Sequence, residues 1–514
     1  MNEDELISFM DLPIDASYIE GVKHSGVDII AVSRWLNGVS AYLTVAQINK
    51  LEELEYVSQI KTVNKLFKQK ENRVTTEETT GSDTSGNRYH YGNSWKQMST
   101  VNVPKVHNLN ITGKGVMIAS FDDGFDWKNH ESLKNLNVTG EYDFINKDEN
   151  TFAEKNQKYN DSKNQGAHGT STLSTMSGFK NGKLVSPAFD SEILLAKTEY
   201  VTSETPMEED FWLEASEWAE AKGVDIITSS LIYKKFDNPF ENNSYDYKDF
   251  NGRTALTSVT ASRLAYLGVV VCQAMGNYDQ TTIPSLGSAA DADSIISVGA
   301  ITFSGNPASF TSNGPTSDGR TKPDVVAPGV YVYNAVTEEI SGNDSTYSYS
   351  NGTSFSTPIT AGICAMILSV HPELTPMQVR DAIRNTASLS GNPNNILGWG
   401  IVNAYDALLY HGPAWSNTPD FKVRGNGTEV STYLASKDLI DPVSVKFSYS
   451  TDGGASYESV FMKLTEPNGD KNNSGKYTTF IENVPDIYKA KYFFSAEDYN
   501  GSKSVYPKEV SFKD

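Results

Sequence analysis

With 514 residues, 64 acidic and 43 basic side chains and a net charge of -21, the chain is too long for one ordinary core, and two or three domains are expected. The acidic balance argues against nucleic acid or an anionic membrane surface as a partner. No apolar run approaches the ~20 residues needed to cross a bilayer, and the start MNEDELISFMDLP lacks the basic-then-apolar layout of a secretion signal, so either the protein stays inside or a targeting segment has been removed.

Residues 1–68 alternate short strands and helices: VDIIAVS, LNGVSAYL, a helix opened by Thr44 through VAQINKLEEL, and a last strand over YVSQIKTV. They predict a small α+β unit. Residues 69–90 fall in KQKENRVTTEETTGSDTSGNRYH, rich in Thr, Ser, Gly and charge, which reads as an exposed linker open to proteolysis. From 91 to 411, the apolar runs GVMIASF, EILLAK, VDIITSSLI, GVVVCQAM and SIISVGAI alternate with helical stretches such as EDFWLEASEWAEAKG and GRTALTSVTASRLAYLG. That pattern predicts an α/β fold, a mostly parallel sheet with helices on both faces. LTPMQVRDAIRNTA adds a helix with Thr375 as cap and Pro376 in its first turn. Over 412–514 the helices stop, and VSVKFSYS, SYESVFMKL, KYTTFIE, KAKYFFSAE and SVYPKEVSF predict a C-terminal β-sandwich. Cys272 and Cys364 each sit in an apolar run, and one pair in so long a chain reads as two buried thiols rather than a disulfide framework.

In α/β folds functional groups gather beyond the carboxyl ends of the strands. IASFDDGFD ends a buried strand in Asp122 and Asp123, and because side chains alternate faces, only one of the two should point toward a given site. AHGTSTLSTMSG opens with His168, and VVVCQAMGN ends in Gly276 and Asn277. NGTSFSTP, residues 351–358, precedes an apolar helix; its hydroxyls read as a helix cap, or Ser354 reads as a nucleophile whose base and orienting acid come from elsewhere. Singly, each stretch has an ordinary reading: a satisfied histidine, an Asp-Gly turn, a Gly-Asn turn. Jointly they place an acid, a histidine, an amide and a hydroxyl at strand ends or helix starts of one unit.

These four stretches, in the order Asp, His, Asn, Ser, together with FTSNGPTSDGRTKPDVVAPG and GWGIVNAYDAL, resemble the subtilisin-like serine proteases, the subtilases, over about 91–411. The resemblance implies a serine endopeptidase that cleaves proteins or peptides through an acyl-enzyme and needs no cofactor for its chemistry. In that reading Ser354 is the nucleophile, His168 the general base and then acid, Asp122 its orienter, and Asn277 an amide donor to the oxyanion. Extended substrate would pair along Ser230, Leu231 and Ile232 beside Gly276. Ile232 stands where the family has glycine, and a β-branched side chain there would narrow the adjacent pocket or push the substrate outward. SRWLNGVSAYLTVAQINKLEELEYVSQIKTV resembles the family's propeptide. It implies a secreted, monomeric zymogen whose own N-terminal domain is an intramolecular inhibitor, processed between Val63 and Tyr91. Subtilases often hold structural calcium, for which Asp237, Glu241, Asp246 and Asp249 of the loop 236–252 are candidates. Two other functions use the same residues: a protease that cuts only its own propeptide and stays inhibited, and a catalytically silent binding protein on a subtilase scaffold.

Overall fold

A computed structural model describes residues 9–61, 73–74, 86–155, 157, 159, 161–162, 164–202, 205–235, 244–484, 487 and 490–507. The N-terminal unit pairs β1 (Ile29–Ser33) antiparallel with β2 (Gly38–Ala41) and packs them with α1 (Ala16–His24) and α2 (Val45–Glu52). α2 begins in a reciprocal cap: Thr44 Oγ1 accepts from the Gln47 N–H at 3.3 Å, and the Gln47 side chain accepts from the Thr44 N–H at 2.8 Å. α1, not singled out in the sequence, is opened by Asp15, which accepts the Ser17 N–H at 2.8 Å. The strand expected over YVSQIKTV does not form in residues 56–61. Tyr56 instead stacks on Tyr18 of α1, ring centroids 4.6 Å apart, and Ile60 packs on the same small core. Thr62 and Val63 lie outside the described residues.

The central sheet has seven parallel strands, β3 (Met117–Asp122), β4 (Asn137–Asp143), β5 (Glu192–Lys197), β6 (Ile226–Ser229), β7 (Val270–Ala274), β8 (Ile296–Ile301) and β9 (Val325–Pro328), in the order β9-β8-β7-β6-β3-β5-β4. Alternation along each strand feeds two cores. Ile118, Ile193, Ile226 and Cys272 face α3 (Ala167–Ser177), α6 (Thr353–Val370) and α7 (Pro376–Asn385). Ala119, Leu194, Ile227 and Val271 face α4 (Met207–Ala221) and α5 (Leu256–Tyr266). Burial on both faces is why the inner strands read as apolar runs, whereas the edge strand β4, NVTGEYD, is mostly exposed or half-buried. α6 is long and apolar enough to cross a membrane by length and composition, but 94% of it is buried inside the protein.

β3 is the first strand of this sheet in sequence yet sits inside it, with β4 and β5 to one side and β6 to β9 on the other. The crevice where the winding direction changes lies beyond the carboxyl ends of β3 and β6, where side chains have room to converge. Residues 414–506 form two antiparallel sheets, one including Gly427–Ala435 and Gly475–Glu482, the other Lys446–Ser450 and Lys491–Glu497. Val430, Leu434 and Tyr477 of the first and Phe447 and Phe494 of the second share one core. Cys272 and Cys364 are free buried thiols with Sγ atoms 3.9 Å apart.

Candidate active site

β3 delivers Asp122 to the carboxyl edge of the sheet with 1% of the residue exposed. Its Oδ1 lies 2.6 Å from His168 Nδ1 and accepts the Asp123 N–H at 2.8 Å; its Oδ2 accepts from Thr172 Oγ1 at 2.9 Å. Burial pushes this carboxyl up, but the charge and hydrogen bond of His168, with the bonds from Asp123 and Thr172, outweigh burial and hold it below the ordinary carboxylate value. His168 is the second residue of α3, and its side chain keeps 24% exposure, so one edge of the acid–imidazole pair is sealed and the other is reachable. The helix comes this close because residue 169 is glycine. A Cβ there would lie 2.1 Å from the Gly124 carbonyl oxygen and 2.9 Å from Asp122 Cβ.

Both acids serve α3, contrary to the expectation that only one would. The strand ends at Asp122, so alternation no longer governs Asp123. Its Oδ1 accepts the Gly169 N–H at 2.8 Å and its Oδ2 the His168 N–H at 3.3 Å. Gly166, at the N-cap, has no side chain to do this, so Asp123 satisfies the helix start from a neighbouring element.

Ser354 is the second residue of α6 and 2% exposed. The N-cap of α6 is Gly352, so no hydroxyl of NGTSFSTP caps it, correcting the cap reading. Ser356 and Thr357 instead donate to the carbonyls of Ala327 and Thr353. Thr353 turns toward Asn277. Its N–H and Oγ1 both donate to Asn277 Oδ1, at 2.9 and 3.0 Å, while Oγ1 accepts the Gly276 N–H at 3.2 Å. These bonds fix the Asn277 amide with its oxygen toward the helix start and its NH₂ on the opposite side. Ser354 Oγ is 3.4 Å from the Ser230 carbonyl oxygen, and Ser230 Oγ donates to the Ser354 carbonyl at 2.9 Å. The Phe355 ring stands edge-on to His168 with centroids 6.2 Å apart. Thus Asp122, His168, Asn277 and Ser354 meet beyond β3, β6 and β7, at the amino end of an 18-residue helix whose dipole favours negative charge.

Beyond Ser230, Leu231 is buried and its carbonyl accepts from Gln273 Nε2. Ile232 packs its Cγ2 where a Cβ on Gly287 would be, at 2.5 Å, and Tyr233 exchanges backbone bonds of 2.9 and 3.0 Å with Ser288. Gly276 has φ +105° and a Cβ there would lie 3.0 Å from Ser312 Oγ, so glycine is needed beside Asn277. Of the calcium candidates, Asp237 and Glu241 lie outside the described residues. Asp246 and Asp249 cap the short turn between them, the Asp246 N–H donating to Asp249 Oδ2 at 2.9 Å, and they converge with no third carboxylate among the described residues. Among the described residues, the acids and histidine that cluster closely enough to hold an ion are Asp122, Asp123 and His168, which are bonded as above.

Nothing in the sequence marks how the N-terminal unit docks. Glu217 of α4 accepts Ser33 Oγ at 2.5 Å, the Arg34 N–H at 3.0 Å and the Trp35 N–H at 3.3 Å. Arg34 also pairs with Glu220, and Trp35 is buried in the apolar core beneath α4. A solvent-facing helix acid is common, so Glu217 is distinguished only by β1 standing beside it.

Residues 113–400 match the family model described as "Subtilase family", and residues 2–78 match "Peptidase S8 propeptide domain, Bacteroidota". The chain belongs to the subtilase family: it is a subtilisin-like serine protease, a hydrolase carrying its own propeptide domain. It is 31% identical over 312 residues to subtilisin E of Bacillus subtilis (strain 168), spanning 60% of this chain and 70% of that one. It is 30% identical over 312 residues to a subtilisin of Bacillus pumilus, spanning 60% of this chain and 97% of that one. Among solved structures, the MycP3 protease from the type VII (ESX-3) secretion system aligns with a TM-score of 0.48 at 19% identity, covering 67% of this chain and 94% of that one.

Proposed function

We propose that this protein is a secreted, monomeric serine endopeptidase made as a zymogen, with the peptidase unit over 91–411 and the propeptide over 1–68. Ser354 Oγ attacks the scissile carbonyl while His168 takes its proton, and His168 then returns that proton to the leaving amine. Asp122 holds the imidazole in the tautomer with Nδ1–H and stabilises it when charged. The Asn277 amide and the Ser354 backbone N–H receive the oxyanion. Substrate lies extended along Ser230 to Ile232. The single observation that carries this reading is the 2.6 Å bond between buried Asp122 and half-open His168 beside the start of α6. Structural calcium remains a proposal tied to the loop 236–252; a chelator that leaves thermal unfolding unmoved removes it.

The test follows the chain's own size and the digestion of denatured protein, in the native form and in Ser354→Ala and His168→Ala. The native chain is expected to shorten within 64–90 and to digest substrate, and both variants to do neither. A native chain that is folded yet does neither makes it a silent scaffold. One that shortens but spares every substrate makes it self-limited, a reading favoured by the contacts Glu217 makes to the N-terminal unit.

A further inference from the structure

Lys234 lies four residues beyond Ser230 and is half-buried. Its Nζ donates to the carbonyls of Ser285 at 2.7 Å and Leu286 at 3.2 Å. It sits over the rings of Tyr278 and Phe250, 5.1 and 5.5 Å from their centroids. An ammonium has three N–H donors, so two carbonyls leave one to be placed. Among the described residues no carboxylate pairs with it. Burial, then repulsion from Lys235, brings the amine down to about 8. Desolvating a cation without a counter-charge is costly, and such a group is retained more readily where an anion arrives from outside.

The surroundings say where that anion would come from. Tyr278 follows Asn277, and its Cδ2 lies 3.2 Å from where a Cβ on Gly276 would be. On the other side Ile232 fills the space against Gly287, and a Cβ on Gly287 would lie 3.7 Å from Lys234 Cβ. Lys234 therefore lies beside Ile232 and over Tyr278, the two residues that would flank the side chain just before the scissile bond if substrate runs along Ser230 to Ile232.

We propose that Lys234 makes this protease prefer an acidic side chain, glutamate first, immediately before the scissile bond. The inference rests on the catalytic reading above and adds the substrate class. The sequence offers a matching site, since Glu77 and Glu78 stand at the end of the propeptide match at residue 78, within the stretch where self-processing is expected.

The test compares paired peptides differing only in Glu or Gln before the cleaved bond, with a fluorophosphonate to label Ser354. In the native enzyme at pH 6.5 the Glu peptide is expected to show the higher kcat/KM, by about tenfold or more. In Lys234→Met that ratio is expected to fall to about one or below. Labelling with a native ratio at or below one overturns the acidic preference while the catalytic reading stands; absence of labelling and of cleavage overturns the catalytic reading itself. Should Lys234→Met fail to fold, the native ratio is followed from pH 6.5 to 9.5. It is expected to decline as Lys234 loses its proton near 8 while glutamate stays ionised, and a ratio that holds steady across that range overturns the proposal.

Discussion

Two aspartates on opposite edges of one sheet show how similar burial yields opposite behaviour. Asp122 ends β3 at the carboxyl edge; Asp324 precedes β9 at the amino edge. Both are buried and both carboxyls are held below the ordinary value. Asp324 meets Lys322 Nζ at 2.8 Å, Arg380 Nε at 2.8 Å and Arg384, and also accepts the Ser297 N–H at 2.9 Å. Trp399 covers Arg384, 3.9 Å from its guanidinium carbon. The two guanidinium partners keep their protons, and through them the cluster ties β9 to α7. Asp122 has an imidazole, a side chain able both to accept and to donate a proton, and this one keeps an edge open. What separates the two acids is the kind and exposure of the partner, a reachable imidazole on one and sealed cations on the other.

The largest expected effect breaks the reactive side. Asp122→Asn is expected to keep the fold but lower kcat on the order of 10⁴-fold, because the amide favours the wrong imidazole tautomer; peptide hydrolysis beside a thermal melt measures both. The next breaks the structural side. Asp324→Asn takes from Lys322, Arg380 and Arg384 the buried carboxylate they share, and is expected to cost about 3–5 kcal/mol of stability, read by denaturant unfolding. Since the folded Asp324 carboxyl lies well below 3.8, its contribution is complete above that pH and is lost as the pH falls through the folded value. The acid limb of the unfolding profile should therefore flatten in Asp324→Asn.

A third group sharpens the contrast by having no cationic partner among the described residues. Glu209 of α4 is buried against Tyr245 Oη at 3.0 Å and Thr257 Oγ1 at 3.3 Å, and burial pushes its carboxyl up to about 8. A raised folded value means that its contribution is fully present below the ordinary 4.5 and is lost as the pH rises through about 8. Glu209→Gln should remove that loss, about 5 kcal/mol on this scale, so the variant should be the more stable protein at pH 8.5 and show no such gain at pH 5. Parallel melting profiles for the two proteins would mean that Glu209 is ionised throughout.

Much of the sheet and the four converging residues could be read from the chain because each follows a local rule. Buried parallel strands are apolar runs, and a functional side chain at a strand end or helix start interrupts the run with a polar residue. Asp122 and Asn277 end apolar runs in that way, while His168 and Ser354 stand at helix starts among small and hydroxyl residues and are singled out by the resemblance. The contacts of Asp123, Glu217 and Lys234 are not legible, because their partners are distant in sequence and their types are ordinary where they stand. The missed hairpin Asp420–Arg424 and Gly427–Ala435 is mostly polar on one side, with Val430 and Leu434 as its inward anchors. The strand expected over 56–63 does not form in its described part, 56–61, because period-2 patterning cannot tell a strand from an extended stretch that covers a helix, as Tyr56 covers α1.

Asp123 gives the smallest effect and the finest division between structure and chemistry. Asp122, not Asp123, is bonded to His168 Nδ1, and the two oxygens of Asp123 hold the N–H groups of His168 and Gly169 at the start of α3. Asp123→Ala removes both acceptors, and losing a helix-start acceptor costs about 1 kcal/mol. If the acid only stabilises the helix, the melting temperature falls and kcat stays as it was. If it also fixes where the imidazole stands against Asp122 and Ser354, kcat falls with KM unchanged, and Asp123→Asn, which keeps one carbonyl acceptor, restores part of it. We expect the second outcome, because the Gly169 N–H that Asp123 holds belongs to the residue whose missing Cβ lets α3 approach Asp122 at all.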